Sequence, residues 1–306
     1  LIKGGVTLEK MGNIKNIAFD KTGTITTGKF KINEFNIIKG EENEIKNIIY
    51  NLERFSSHPI ANSIINELSD FSKEIQIENI EEKNGFGISG TFNGSNYFIG
   101  KKPGTIQDEE FDVYFSKNNE IIAKIKLQDE IKENTHKVID ELKENNFKTI
   151  LISGDRKEKC EKLNQEIPFD SIYTDQLPQD KINVIETLNK EDNTIMIGDG
   201  INDAPALSKA FLGVSLGNAS QIAIQASEII LLNNKNLNQL PKVLKIGQHT
   251  LLTIKQNLFW AFSYNIIAIP IACLGYLNPM WAALFMAFSD VVVIGNSIRL
   301  KFKKIF

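Results

Sequence analysis

Two cysteines, Cys160 and Cys273, are all that 306 residues contain. They lie far apart in unlike surroundings, one beside charges and one in an apolar run, which argues against a disulfide framework or a paired-thiol metal site. Cys160 fits a reducing compartment. An excess of one charge is also lacking, since 35 basic against 38 acidic residues leave a net charge of −3. No basic face points to nucleic acid and no acidic tail is present. Nor does a basic stretch lead into an apolar region at the start, so no secretory signal is expected. The chain opens on Leu1 rather than methionine, which predicts a piece of a longer protein.

Long apolar runs are missing as far as about Lys255, where Lys-, Asn- and Glu-rich sequence gives way to two of them. Residues 257–275 and 280–298 are each long enough for a helix to cross the roughly 30 Å hydrocarbon core. They predict a membrane hairpin turning at Tyr276-Leu277-Asn278-Pro279. Lys255 flanks one outer end, and Arg299, Lys301, Lys303 and Lys304 flank the other, which places both ends on the cytoplasmic side.

The length allows more than one globular domain. Three segments share one form, an apolar strand running into an aspartate: IKNIAF before Asp20, TILISGD at 149–155 and TIMIGDG at 194–200. Together they predict a parallel sheet whose carboxyl edge gathers aspartates. Helical patterns at Asn134–Asn145 and Asp180–Asn189 supply crossovers. From about Phe30 to Ile125 the texture changes to a helix near residues 42–69 followed by short strands and Gly-rich turns. The expected organisation is therefore α/β. A parallel-sheet domain is built from 1–29 and 126–245, an α+β domain at 30–125 is inserted in it, and a two-helix hairpin covers 255–300.

Asp20-Lys21-Thr22-Gly23-Thr24 puts a carboxylate at a strand end with a glycine turn and hydroxyls just behind it. A carboxylate so placed can attack a phosphoryl group, with backbone N–H groups and hydroxyls receiving its oxygens. The segment resembles the DKTGT phosphorylation motif of the P-type ATPases, on a haloacid-dehalogenase-like fold. Further elements of that family follow in order. Ser153-Gly154-Asp155 resembles TGD, Pro178-Gln179-Asp180-Lys181 resembles P-x-x-K, and Met196–Leu207 is similar to the hinge motif almost residue for residue. The resemblance implies that Asp20 is phosphorylated by ATP and that Lys181 meets the phosphoryl group. It makes Asp20, Thr22 and Asp199 ligands of Mg²⁺, with Asn202 and Asp203 completing the shell. Simple phosphatases of the superfamily carry an acid two positions after the nucleophile; Thr22 stands there, so the aspartyl-phosphate should hydrolyse slowly.

Within the inserted domain, Glu53 followed by Ser56-Ser57-His58-Pro59-Ile60-Ala61 resembles the E-x-x-S-x-H-P-x-A element of the heavy-metal class. Gly85-Phe86-Gly87 resembles its G-x-G. The resemblance implies that Glu53 and His58 lie near adenine and that Gly85 and Gly87 let ATP approach the backbone.

Polar groups inside an apolar span are costly and are candidates for function. Here they are Asn257, Tyr264, Asn265, Met286, Ser289, Asp290 and Asn296. Tyr264-Asn265 and Met286-x-x-Ser289 resemble the copper(I)-transporting members, and a thioether suits a soft ion. Asp290 stands where that pattern has a second serine, and its anionic oxygen, a hard ligand, would favour Zn²⁺ or a transported proton. Counted back from Asn296, the zinc-class aspartate would align near Met286 instead, so copper(I) is the expected ion, with zinc, cadmium or cobalt as the alternative. The family's T-G-E loop and Cys-Pro-Cys helix are not in the sequence. The expected partners are accordingly the transported ion, membrane lipid, an actuator domain and further helices of the same pump, in a multi-pass membrane protein with cytoplasmic catalytic domains. A membrane-tethered phosphatase and a non-catalytic nucleotide-binding remnant are the competing readings.

Overall fold

The computed structural model describes residues 1–56, 58–83, 86–101, 111–233, 235–276 and 278–302. It divides into two compact units, Leu1–Ile25 with Lys132–Phe306, and Thr26–Ile131.

The first unit opens with helix α1 (Gly5–Met11) and strand β1 (Asn16–Asp20). The chain then runs through the second unit: β2 (Thr26–Ile37), α2 (Glu42–Glu53), α3 (Pro59–Glu67), β3 (Glu78–Lys83), β4 (Gly87–Phe92), β5 (Ser95–Gly100), β6 (Val113–Lys117) and β7 (Glu120–Ile131). On its return it forms α4 (Thr135–Glu144), β8 (Lys148–Ile152), α5 (Lys157–Glu166), β9 (Ser171–Tyr173), α6 (Pro178–Glu191) and β10 (Thr194–Gly198). It ends with α7 (Ala204–Lys209), β11 (Leu212–Leu216), α8 (Gln221–Ala226), β12 (Ile229–Leu231), α9 (Gln239–Cys273) and α10 (Pro279–Phe302).

The first unit is a parallel sheet in the order β12-β11-β10-β1-β8-β9. All five residues of β1 are buried, as a strand covered on both faces requires. Ala18, Ile150, Ile152 and Met196 share one face and pack on Ile185 and Leu188 of α6, Leu207 of α7 and Ala223 of α8. Successive strand residues face opposite ways, so Phe19 turns to the other layer and meets the Phe169 ring at 6.1 Å. The chain leaves β1 toward β8 and leaves β10 toward β11. The sheet therefore reverses direction between these two neighbours, and an open α/β sheet presents its ligand crevice at the carboxyl ends there. The three predicted strand ends are adjacent, with Phe19 paired to both Ile197 and Leu151.

The second unit is an antiparallel sheet, β2-β7-β6-β5-β4-β3. Ile48, Ile49 and Leu52 of α2 and Ile64 of α3 pack with Ile88, Ile99, Phe115 and Ile125 in its core. The boundaries expected at Phe30 and Ile125 fall inside β2 and β7, whose pairing runs from Thr26↔Ile131 to Ile37↔Ala123. The helix expected near residues 42–69 is two helices. Pro59 stands at the first position of α3 and holds His58 extended, so one continuous helix cannot form.

The predicted hairpin forms, but its two arms differ. Among the described residues, one segment, Met280–Leu300 of α10, is long and apolar enough to cross a membrane. The 257–275 stretch is the far part of α9 and falls short of that composition, because Asn257, Tyr264, Asn265 and Pro270 dilute it. Tyr264 Oη donates to the Ala282 carbonyl at 3.3 Å, and Asn257 Nδ2 donates to Ser297 Oγ at 2.8 Å, so the helices run antiparallel. Leu258, Phe259, Phe262, Ile266, Phe288 and Val291 are exposed along them. Lys303 and Lys304 lie outside the described residues.

Candidate active site

Asp20 ends β1 and is 5% exposed. A turn follows with backbone unlike a helix: Thr22 is extended and exposed, and Gly23 has φ 77°. A Cβ on Gly23 would lie 1.9 Å from Asp199 Oδ2, so only glycine lets the turn close against the end of β10. Lys21 is buried and pairs with the half-buried Asp155, tying the loop after β1 to the loop after β8. Ser153 Oγ accepts the Asp155 N–H at 3.1 Å and Gly154 is exposed beside them, a local turn that orients Asp155.

Lys181 reaches the site from the first turn of α6. Pro178 starts that helix, and Asp180 accepts the Leu177 N–H at 3.1 Å, which fixes the turn. The Lys181 ammonium bonds Asp20 Oδ1 and lies 2.8 Å from Asp203 Oδ1. Asp203 is itself held by the Gly200 N–H, which donates to Oδ2 at 3.1 Å. Asn202, on the same short turn, is exposed.

Oxygens of Asp20, Asp199 and Asp203 lie within 4.8 Å of one another. Burial, with the charge of Asp203 adding to it, pushes the Asp20 carboxyl up to about 7. The same two causes push Asp199 up to about 6. Burial also works against the charge of Lys181, but its carboxylate partners hold its pKa above the ordinary range. Three crowded carboxylates at a dry strand edge thus favour a cation, and hard oxygens in this number suit Mg²⁺. Thr24, fully buried, adds a hydroxyl with no hydrogen-bond partner among the described residues. An orphaned donor of this kind fits an incoming phosphate oxygen.

In the second unit, Glu53 closes α2 and is 6% exposed. Burial, reinforced by Glu82, raises its carboxyl to about 7. His58 caps α3, its Nδ1 accepting the Ile60 N–H at 3.2 Å, which leaves Nε2 as the protonated nitrogen of the neutral ring. Gly87 pairs with Gly100 across β4 and β5, and a Cβ there would lie 2.2 Å from the Ile99 carbonyl oxygen. The close approach of two strands is thus one reason for that glycine. Gly85 lies outside the described residues.

Along the hairpin, Asn265 Nδ2 donates to the Ala261 carbonyl within its own helix, and Tyr264 is half-buried between the two arms. Met286 and Asp290 are exposed, and Ser289 is half-buried.

A family model described as haloacid dehalogenase-like hydrolase matches residues 14–210. The chain belongs to that family. Over its whole length this haloacid dehalogenase-like chain is 34% identical to a copper-exporting P-type ATPase of Staphylococcus saprophyticus, covering 40% of it. It is also 34% identical to a probable copper-importing P-type ATPase A of Enterococcus hirae, covering 44%. The chain therefore spans less than half the length of these curated relatives. Among solved structures, a zinc-transporting PIB-type ATPase in the E2.Pi state matches with a TM-score of 0.81 at 28% identity, over 98% of this chain and 52% of the other. The catalytic domain of the CPx-ATPase CopB-B matches with a TM-score of 0.71 at 28% identity, over 81% and 95%.

One residue of this haloacid dehalogenase-like site escaped the sequence reading. Lys132 is the first residue after β7 and is 4% exposed, and its ammonium donates to the Gly23 carbonyl. Its own backbone N–H bonds Ile25 at 3.0 Å, and its carbonyl accepts the Thr135 hydroxyl at 2.7 Å. Burial lowers its pKa to about 8, against the pull of Asp199. The signal available in sequence was a lysine closing an amphipathic strand, which ordinarily means a solvated end.

Proposed function

We propose that this chain is the phosphorylated, nucleotide-binding part of an ATP-driven heavy-metal pump, with copper(I) as its cargo. The observation that carries the reading is Lys181 held between Asp20 and Asp203 at the sheet's reversal point, in a chain matched end to end by copper-transporting P-type ATPases.

In this reading Asp20 attacks the γ-phosphorus of ATP, the bond to the β-phosphate oxygen breaks, and ADP leaves. Lys181, the Thr24 hydroxyl and the loop N–H groups receive the charge on the transferred oxygens. Asp20, Asp199 and Thr22 would hold Mg²⁺ with Asp203 beside them, and the ion would supply charge neutralisation on the phosphate. Lys21 and Asp155 position the loop, and Asn202 lies on the rim. In the second unit Glu53, His58, Gly85 and Gly87 bind the nucleotide. Thr22 offers no general acid or base, so the aspartyl-phosphate persists long enough to drive a change of shape. Tyr264, Asn265, Met286 and Ser289 contribute to the ion path. Asp290 supports the second reading, a zinc, cadmium or cobalt pump, because a carboxylate oxygen is a harder ligand. The remaining partners are the membrane, an actuator domain and further helices of the same pump, with the catalytic units on the cytoplasmic side.

The deciding experiment follows acid-stable phosphorylation and ATPase activity of the full-length pump with Cu⁺, Ag⁺, Zn²⁺, Cd²⁺ and Co²⁺, with Asp20→Asn as the blank. Stimulation by Cu⁺ and Ag⁺ alone is expected. Stimulation by Zn²⁺ or Cd²⁺ would move the cargo to the harder ions. Rapid phosphate-ester turnover with no Asp20-dependent phosphoenzyme would replace the pump with a tethered phosphatase.

A further inference from the structure

The connection between α2 and α3 is tied together around one hydroxyl. The Ser56 N–H donates to the Glu53 carbonyl at 2.9 Å, so the turn closes on the last residue of α2. Ser56 Oγ accepts the His58 N–H at 3.2 Å and gives its own proton to Glu82 Oε1 at 2.6 Å. A hydroxyl has one proton to give, so Ser56 orients His58 and is itself oriented by Glu82. At that length the bond to Glu82 is of the short, charge-assisted kind.

Glu82 comes from a different part of the second unit. It lies on β3 opposite Ile88 of β4, and Lys83 stands opposite Gly87 one pair further on. The carboxylate that holds Ser56 is therefore on the strand that leads, in sequence, into Gly85-Phe86-Gly87. One side chain thus joins the turn carrying Glu53 and His58 to the strand entering the glycine segment.

Glu82 also acts on Glu53. Of the other charged and titratable groups at this turn, Arg54 pairs with Glu74 at 3.5 Å, and the His58 ring caps α3. Burial first and Glu82 second raise the Glu53 carboxyl to about 7. The neutral form of the buried carboxyl is favoured by both causes.

That form matters to an adenine, whose amino-bearing edge sets an N–H donor beside a ring-nitrogen acceptor. A neutral carboxyl offers a carbonyl acceptor and an O–H donor and can meet both. A carboxylate only accepts, and it turns negative charge on the ring nitrogen. We propose that Glu82 is a positioning residue of the nucleotide site, anchoring His58 through Ser56 and presenting its charge to Glu53 so that Glu53 meets adenine with a donor and an acceptor together. This role rests on the nucleotide reading of the second unit and deepens it.

The test titrates the full chain in detergent with the non-hydrolysable ATP analogue AMP-PCP, by calorimetry, across about pH 5 to 9. Affinity should fall as pH rises through the Glu53 ionisation. Glu82→Gln keeps an acceptor for Ser56 but loses the charge, so its affinity at low pH should match the parent's and the fall should move to lower pH. Ser56→Ala keeps the charge but loses the anchor, and should bind roughly 2- to 10-fold more weakly at every pH. Ser56→Thr keeps the hydroxyl and should recover part of that loss, while circular dichroism checks that each variant is folded. The ligand's own titration is common to all variants, so the shift between profiles is what counts. A Glu82→Gln profile superimposed on the parent's, or Ser56→Ala binding as tightly as the parent, would overturn the proposal. Lower melting temperatures with unaltered binding would also overturn it, leaving Glu82 a purely structural tie. If the parent binds no AMP-PCP at any pH, the nucleotide reading falls as well, whereas binding that neither variant alters removes this inference alone.

Discussion

Lys181 lies between two buried carboxylates, bonding Asp20 on one side and Asp203 at 2.8 Å on the other. One positive charge therefore holds together two groups that would otherwise repel at the end of the sheet.

Lys181→Met should cost on the order of 3 kcal/mol of stability, because both carboxylates lose their counter-ion in a dry site. Adding Asp203→Asn should restore most of the loss in melting temperature while phosphorylation stays abolished. A single variant as stable as the parent would show that the lysine is not the group compensating those charges.

Gly23→Ala introduces a Cβ into a left-handed residue facing Asp199. The backbone strain is worth about 1–3 kcal/mol, and the carboxylate has to move. Phosphoenzyme formation should need a higher Mg²⁺ concentration, which a Mg²⁺ titration measures. An unshifted midpoint would separate Asp199 from the metal.

Lys132→Met removes the ammonium that anchors the Gly23 carbonyl. The rate of phosphoenzyme formation should drop by roughly 10- to 100-fold, as for loss of a charged hydrogen bond of about 1.5–3 kcal/mol, with ATP affinity unchanged. Lys132→Arg should recover part of the rate. A loss confined to ATP affinity would place Lys132 on the nucleotide instead of on the loop.

Glu53 carries the clearest pH signature. Its carboxyl is raised from about 4.5 to about 7 by burial and then by Glu82, so ionisation is harder in the folded protein than in the unfolded one. Below about 4.5 this group imposes no penalty. As pH rises through 7 the penalty grows to at most about 3 kcal/mol. Glu53→Gln should remove it, so the melting temperature of the variant falls less than that of the parent between pH 5 and 8. Parallel curves would mean that Glu53 ionises freely.

His58→Asn separates capping from nucleotide contact, since asparagine also caps helices whereas alanine there would cost about 1 kcal/mol. The variant should fold as the parent does and bind ATP less tightly. Unchanged ATP affinity would reduce His58 to the start of α3.

Legibility in the sequence followed how local each signal was. Asp20, Asp155 and Asp199 each end an apolar run, and runs of that kind assembled as neighbours β1, β8 and β10. Asp203 and Lys181 were legible through the motifs around them. Lys132 was not, because its burial depends on a turn more than a hundred residues earlier in the chain. The break between α2 and α3 was signalled by Pro59, but the apolar pattern ran on through it. The composition changes at Phe30 and Ile125 fall inside β2 and β7, because both strands run on past them. Gly87 had a reason that only pairing with Gly100 displays.

Helix α9 begins against the catalytic sheet domain and ends in the apolar hairpin. Leu240, Leu244, Gly247 and Leu251 are buried in its first half, where a Cβ on Gly247 would lie 2.3 Å from Met11 Cβ. Its 35 residues make a rod of about 50 Å, and its one interior proline, Pro270, comes close to the far end. Helices bend sharply at prolines, and most of this one lacks an interior proline. In the proposed pump, a rotation of the buried end would be carried along the shaft instead of being absorbed by a joint. The helix would then act as a single stiff lever, and a glycine pair placed midway should uncouple phosphorylation from ion movement without touching either site.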